Sequence, residues 1–189
     1  MVMLIDTLVT DLSYNPFDPA LNFAIAQEYE AIGQTASAVS FYLRTAEYGF
    51  DEIGYKRELV YASLIKAALC FEDQKNREKT VHSLILKAID YYPTRPEAYF
   101  HLSRIYEKRQ EWQEAYTFAS VGLSMKEGNP LPCDLKFDRN YLWFEKAVAA
   151  WWLGRKDQSI LLFEDLLKTD IDDVYRASIK QNLLNISLS

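Results

Sequence analysis

The stretch that most constrains this chain is residues 96–123, PEAYFHLSRIYEKRQEWQEAYTFASVGL. Tyr99, Leu102, Ser103 and Tyr106 follow one another at steps of three, one and three residues, which places them on one face of a helix. A polar break, EKRQEW, follows. Ala115, Phe118, Ala119 and Gly122 then form a second apolar face at helical spacing. Ser103, Ala115, Ala119 and Gly122 are small, so the two helices can approach closely. The result is a pair of amphipathic helices joined by a tight turn, and such a pair cannot bury its apolar faces alone.

The pattern returns along the chain. Over 19–46, Ile25, Ala26 and Tyr29 repeat Leu102, Ser103 and Tyr106; Gly33 makes the turn, and Ala38, Tyr42 and Thr45 form the second face. Asn22 replaces the leading aromatic there, with Phe23 beside it. Over 56–93, Tyr61, Leu64, Ile65 and Ala68 precede a longer polar turn, then Val81, Ile85 and Ala88, with Pro93 as the stop. Over 140–168, Trp143, Lys146, Ala147 and Ala150 lead to a turn at Gly154, then Ser159, Phe163 and Leu166; Lys146 stands where an apolar residue is expected. A lone helix is expected over 1–15, from the stripe Leu4, Ile5, Leu8, Val9 and Leu12. Asp18 and Pro19 provide a cap and a first-turn proline for the helix after it. A last helix over 172–186 starts from a cap at Asp172 or Asp173. Gly49 marks a helix end. Gly128, Asn129, Pro130 and Pro132 forbid helix in the 126–139 loop, which reads either as a spacer or as a functional insertion.

These residues resemble the tetratricopeptide (TPR) repeat, whose first helix carries a large aromatic, Leu, a small residue and Tyr, and whose second carries Ala, a bulky residue and Ala. Gly122 stands where that family prefers Ala. Ala119 stands where it prefers an aromatic, with Phe118 one residue earlier. The resemblance implies an all-α, right-handed superhelical solenoid of antiparallel helix pairs, about ten helices in all, forming a single unit over 1–189. Counted against the family period the chain opens half a repeat in, so its first helix covers an open end. The resemblance also implies a protein or peptide ligand in a concave groove lined by first helices. Carried over by position, the groove residues are Phe23 and Gln27; Ala62 and Lys66; Phe100 and Arg104; and Phe144, Val148, Trp151 and Trp152. Of the doubled tryptophans, Trp151 is expected to be packed and Trp152 partly exposed. Lys66 and Arg104 suit a carboxylate or phosphate, and the aromatics suit apolar side chains or a flat ligand. The Lys and Asn clamp of the chaperone-binding version is not reproduced by Phe23 and Gln27, so that ligand is not expected.

The run PTRPEAYFHLSRIYEKRQEWQEAYTFASVGL, with FEKAVAAWWLGR after the loop, also resembles helical-repeat segments that accompany glycosyltransferases. That resemblance implies an accessory part of carbohydrate-transfer machinery, with a glycosyltransferase partner and with any catalysis carried elsewhere. A plain oligomerisation module is a third reading, and the sequence leaves oligomeric state open.

Composition narrows the field. A net charge of −6 and the absence of a Lys/Arg cluster argue against nucleic acid. The two cysteines, Cys70 and Cys133, have no pairing pattern and suit a cytoplasmic protein. The N-terminus lacks the basic start of a secretory signal, and no stretch is apolar enough for a membrane span. His82 and His101 lie far apart, and there is no Cys-x-x-Cys, phosphate loop or Gly-x-Ser-x-Gly. No catalytic residue, metal site or cofactor is expected.

Overall fold

The computed structural model describes residues 2–50, 55–72, 74–126 and 128–188. Among them are ten α-helices and no strand: α1 (Val2–Tyr14), α2 (Pro19–Ala31), α3 (Thr35–Tyr48), α4 (Tyr55–Glu72), α5 (Glu78–Tyr91), α6 (Glu97–Lys108), α7 (Trp112–Ser124), α8 (Arg139–Trp152), α9 (Lys156–Leu167) and α10 (Asp173–Ser187). The Leu4 side chain of the expected first stripe, and the end of the connection after Gly49, lie outside the described residues.

The helices form two compact units. Unit 1 holds α1 to α5 together with the segment Gly128–Leu135; unit 2 holds α6 to α10. Within each, consecutive helices pack as neighbours, and first helices also meet across a pair: α2 touches α4, and α6 touches α8. This is the packing a helix-pair stack requires.

Helix ends follow the local chemistry. Asp18 Oδ1 accepts the amides of Ala20 and Leu21 at 2.7 and 3.0 Å, with Pro19 at the first helical position. Asp172 Oδ1 does the same for Val174 and Tyr175, at 3.0 Å each. The turns of three pairs are the same motif. Gly33, Gln110 and Gly154 take φ of 73°, 60° and 75°. The next residue donates back into the helix: Gln34 to Tyr29, Glu111 to Tyr106 and Arg155 to Ala150, at 2.8, 2.9 and 2.9 Å. This left-handed cap satisfies carbonyls the helix would otherwise leave open.

The small residues act as expected. Ser103 Oγ donates to the Ala115 carbonyl at 3.0 Å, joining α6 to α7. In the next pair the polarity is reversed: Ser159 Oγ donates to the Ala147 carbonyl at 2.8 Å. Both serines are fully buried. Gly122 is required by space, since a Cβ there would lie 2.9 Å from Tyr99 Cβ and 3.0 Å from both Leu142 methyls. Ala119 joins a cluster with Phe100 and Leu142, while Phe118 stacks on Tyr106 at 5.3 Å, as Phe41 stacks on Tyr29 at 5.6 Å. Lys146, the apparent misfit, lies over the rings of Tyr116 and Trp143 at 5.2 and 5.4 Å. Asn22 is buried and donates to the carbonyls of Pro16 and Asp18 at 3.2 and 2.8 Å, so it ties the helix start rather than filling an aromatic site.

Candidate ligand-binding faces

In unit 1 the first-helix face is built by α2 and α4. Phe23 is only 3% exposed and packs edge-on against Tyr42 at 5.6 Å. Ala62 is fully buried. Both are core residues, a correction to their expected place on an open groove. Gln27 is half-buried. Lys66 is already engaged: its Nζ lies 2.8 Å from Glu30 Oε1, and the Tyr42 hydroxyl donates to Glu30 Oε2 at 2.5 Å. An anion would have to compete with Glu30 for this lysine. Cys133, from the 128–135 segment, packs against the same cluster. Burial, opposed by Lys66 and reinforced by Glu30, pushes its thiol up to about 11.

In unit 2 the face is built by α6, α8 and α10. Tyr141 and Tyr175 stack at 4.2 Å, Phe144 meets Tyr175 edge-on at 4.9 Å, and Phe100 lies 5.6 Å from Tyr141. Phe100 is 3% exposed, so it too belongs to the core. Phe144 is half-buried and also packs on Phe163 at 5.9 Å. Arg104 is half-buried, with its guanidinium 5.6 Å from the Phe100 ring. Beneath these lies Glu145, which is 3% exposed, and its Oε2 has no hydrogen-bond partner among the described residues. Burial first, and then Glu107, hold its carboxyl well above the ordinary range; Arg104 opposes them. Arg104 thus acts on this buried acid as the nearby cation that favours its ionised form. The Tyr141 hydroxyl donates to Asp172 Oδ2 at 2.6 Å and keeps that exposed carboxyl below the usual range.

The α8 end of this unit carries an open pocket of about 300 Å³, lined by Val148, Trp151, Trp152, Phe163, Asn182, Asn185 and Ile186. Trp152 is 59% exposed and stacks on Trp112 at 5.1 Å with an interplanar angle of 13°. Trp151 is half-buried, with Lys156 Nζ 4.9 Å from its ring. A pocket in unit 1 is larger, about 570 Å³, and is lined by α3, α4 and α5 residues such as Leu43, Leu64 and Leu84. The α8 pocket is the better candidate because it combines an apolar floor, an exposed indole and two side-chain amides.

Of the expected groove residues, then, the structure brings Val148, Trp151 and Trp152 to one pocket and sets Arg104 and Phe144 over a buried acid. It removes Phe23, Ala62 and Phe100 to the core. Sequence reasoning missed Glu145, Tyr175, Trp112, Asn182 and Asn185. Trp112 sits inside the polar break, and the two asparagines lie three residues apart on α10, the spacing of one helix face. Among the described residues, no group of three His, Cys, Asp or Glu side chains is placed to hold a metal, and no helix is long and apolar enough to cross a membrane.

Neither a protein-family model nor a curated protein matches the sequence. Solved structures do match the fold. MamA aligns with a TM-score of 0.64 at 14% identity, over 87% of this chain and 85% of its own. YrrB, described as a TPR protein with an unusual peptide-binding site, aligns with a TM-score of 0.64 at 13% identity, over 86% of this chain and 74% of its own. A thermophilic TPR protein of Thermus thermophilus aligns with a TM-score of 0.55 at 14% identity, over 95% of this chain and 89% of its own. At these identities the likeness shows the fold, an all-helical TPR-type solenoid.

Proposed function

We propose that this chain, which carries the TPR fold, is a non-enzymatic interaction scaffold that binds an extended peptide segment of a partner protein on the first-helix side of unit 2. The observation that carries the reading is the α8 pocket. Val148, Phe163 and Ile186 offer an apolar floor to one inserted side chain, and Trp152 presents an open indole face. Asn182 and Asn185 supply donors and acceptors that match a peptide backbone. YrrB, with the same fold, is described by its peptide-binding site, which agrees with this use. A cytoplasmic location belongs to the same reading, on the strength of the two cysteines.

The variant that tests it is Trp152→Ala with Asn182→Ala. Both side chains reach solvent, so helix content should be unchanged. Arg104 and Phe144 are poorer choices, because removing them exposes Glu145 and the Phe163 contact and would report stability. Affinity capture with quantified binding should show at least tenfold weaker retention of the wild-type partner, about 1.4 kcal/mol. Equal retention by the well-folded double variant would refute the site.

The same pocket supports a second reading, in which the chain is an accessory part of carbohydrate-transfer machinery and works with a glycosyltransferase. An exposed indole beside two amides also suits a sugar ring, whose C–H face stacks and whose hydroxyls hydrogen-bond. Titration of nucleotide-sugars and simple glycans against tryptophan fluorescence separates the two readings, since the Trp112–Trp152 stack reports on the pocket. No response would count against the second.

A further inference from the structure

Residues 128–135, Gly-Asn-Pro-Leu-Pro-Cys-Asp-Leu, stand far in sequence from the rest of unit 1 yet pack as part of it. They form neither helix nor strand. Pro130 and Pro132 lack amide donors and fix φ, which restricts the segment, and it bends at Asn129 and at Pro132 and Cys133. Leu131, Pro132 and Cys133 are half-buried, and Leu135 is 4% exposed. Asn129 Nδ2 donates to Oε1 of Glu58, itself only 4% exposed, on α4 at 3.4 Å. Cys133 packs against the cluster that contains Phe23, Tyr42 and Ala62, and its thiol feels both Lys66 and Glu30. Phe23, Ala62 and Lys66 are the side chains of α2 and α4 that TPR repeats turn towards a peptide. In this chain the Lys66 ammonium and the cluster that holds Phe23 and Ala62 lie against Cys133 of the chain's own 128–135 segment.

We infer that residues 128–135 are a built-in ligand of the first-helix face of unit 1, and that a partner segment of the same kind, non-helical, proline-bearing and apolar, binds there by displacing them. The chemistry favours such a partner because a proline-fixed segment has little chain entropy left to lose and brings few amide donors to an aromatic, apolar surface. Tethering makes the chain's own copy a strong competitor, since covalent attachment turns its binding into an intramolecular step. The face is therefore closed at rest and opens only to a tighter or more concentrated ligand. This inference concerns unit 1 alone and stands or falls separately from the pocket of unit 2.

The test uses the full chain with residues 128–135 replaced by an equal length of Gly and Ser. The probe is a free peptide of residues 128–135 with Ser in place of Cys133. The peptide should bind the replaced chain at least tenfold more tightly than it binds wild type, with unchanged circular dichroism. Absent binding to the folded replacement, or equal binding to both chains, would overturn the inference. If the replacement fails to fold, a Cys70→Ala chain keeps the question open to measurement, because Cys133 is then its one thiol. Millimolar probe peptide should raise the rate of maleimide labelling at Cys133 several-fold. A rate unaffected by the peptide would overturn displacement.

Discussion

Gln110 carries a left-handed backbone that its two counterparts assign to glycine. Its φ of 60° is one that an L side chain adopts at a cost, typically about 1 kcal/mol. Gln110→Gly should therefore stabilise the protein by roughly 0.5–1 kcal/mol, read as a rise in the chemical-denaturation midpoint. Gly33→Ala should do the reverse by a similar amount, although open space surrounds it. Glu145 makes the stability depend on pH. Its carboxyl is held above its ordinary range by burial and by Glu107. The folded state thus retains a proton that the unfolded state has released, and stability falls as pH rises from the unfolded value through the folded one. Glu145→Gln removes that loss. Thermal melts should show the variant gaining on wild type as pH rises, with a larger advantage at pH 8 than at pH 5. An unchanged gap across pH would show that Glu145 does not hold its proton.

At the scale of the helix pair, close approach decides the packing. Gly122 lets α7 reach α6 and α8, and a methyl there would meet Tyr99 Cβ, which cannot swing away as a side-chain tip can. Alanine favours the helix by about 1 kcal/mol, but overpacking against a rigid atom costs about 1–3 kcal/mol. Gly122→Ala should therefore be net destabilising, seen as a lower denaturation midpoint; a stabilised variant would show that the pair relaxes freely. Two arginines tie consecutive helices. Arg139 donates to the carbonyls of Leu123 and Met125 at the end of α7, and Arg176 donates to those of Leu167, Thr169 and Ile171 after α9. Helix existence and limits were legible because Tyr99, Leu102 and Ser103, Asp18 with Pro19, and Gly33 and Gly154 each act locally. The left-handed Gln110 was not legible, since nothing in its residue type announces that backbone. The groove was legible only in part. Helical spacing names a face, but not which residues of that face a neighbouring helix or loop will cover. Phe23 and Phe100 lie beside their expected faces in sequence and inside the core in space. Trp152 remains open because its ring stacks on Trp112 rather than entering the core.

At the scale of the molecule, the proposed binding divides between two faces. Residues 128–135 pack on unit 1 through Cys133 and Asn129, and the unit 2 pocket stands open at the end of α8. The net charge of −6 would slow the approach of acidic partners unless steered locally by cations such as Lys156 beside Trp151. Raising the salt concentration should therefore change association rates with charged peptides more than dissociation rates, as stopped-flow fluorescence would show. The most direct test of the scaffold reading is the affinity of the captured partner segment for wild type beside the Trp152→Ala, Asn182→Ala chain, by calorimetry. A loss of tenfold or more with intact helix content is the predicted result. Equal affinity in both chains would contradict the assignment of binding to the α8 pocket.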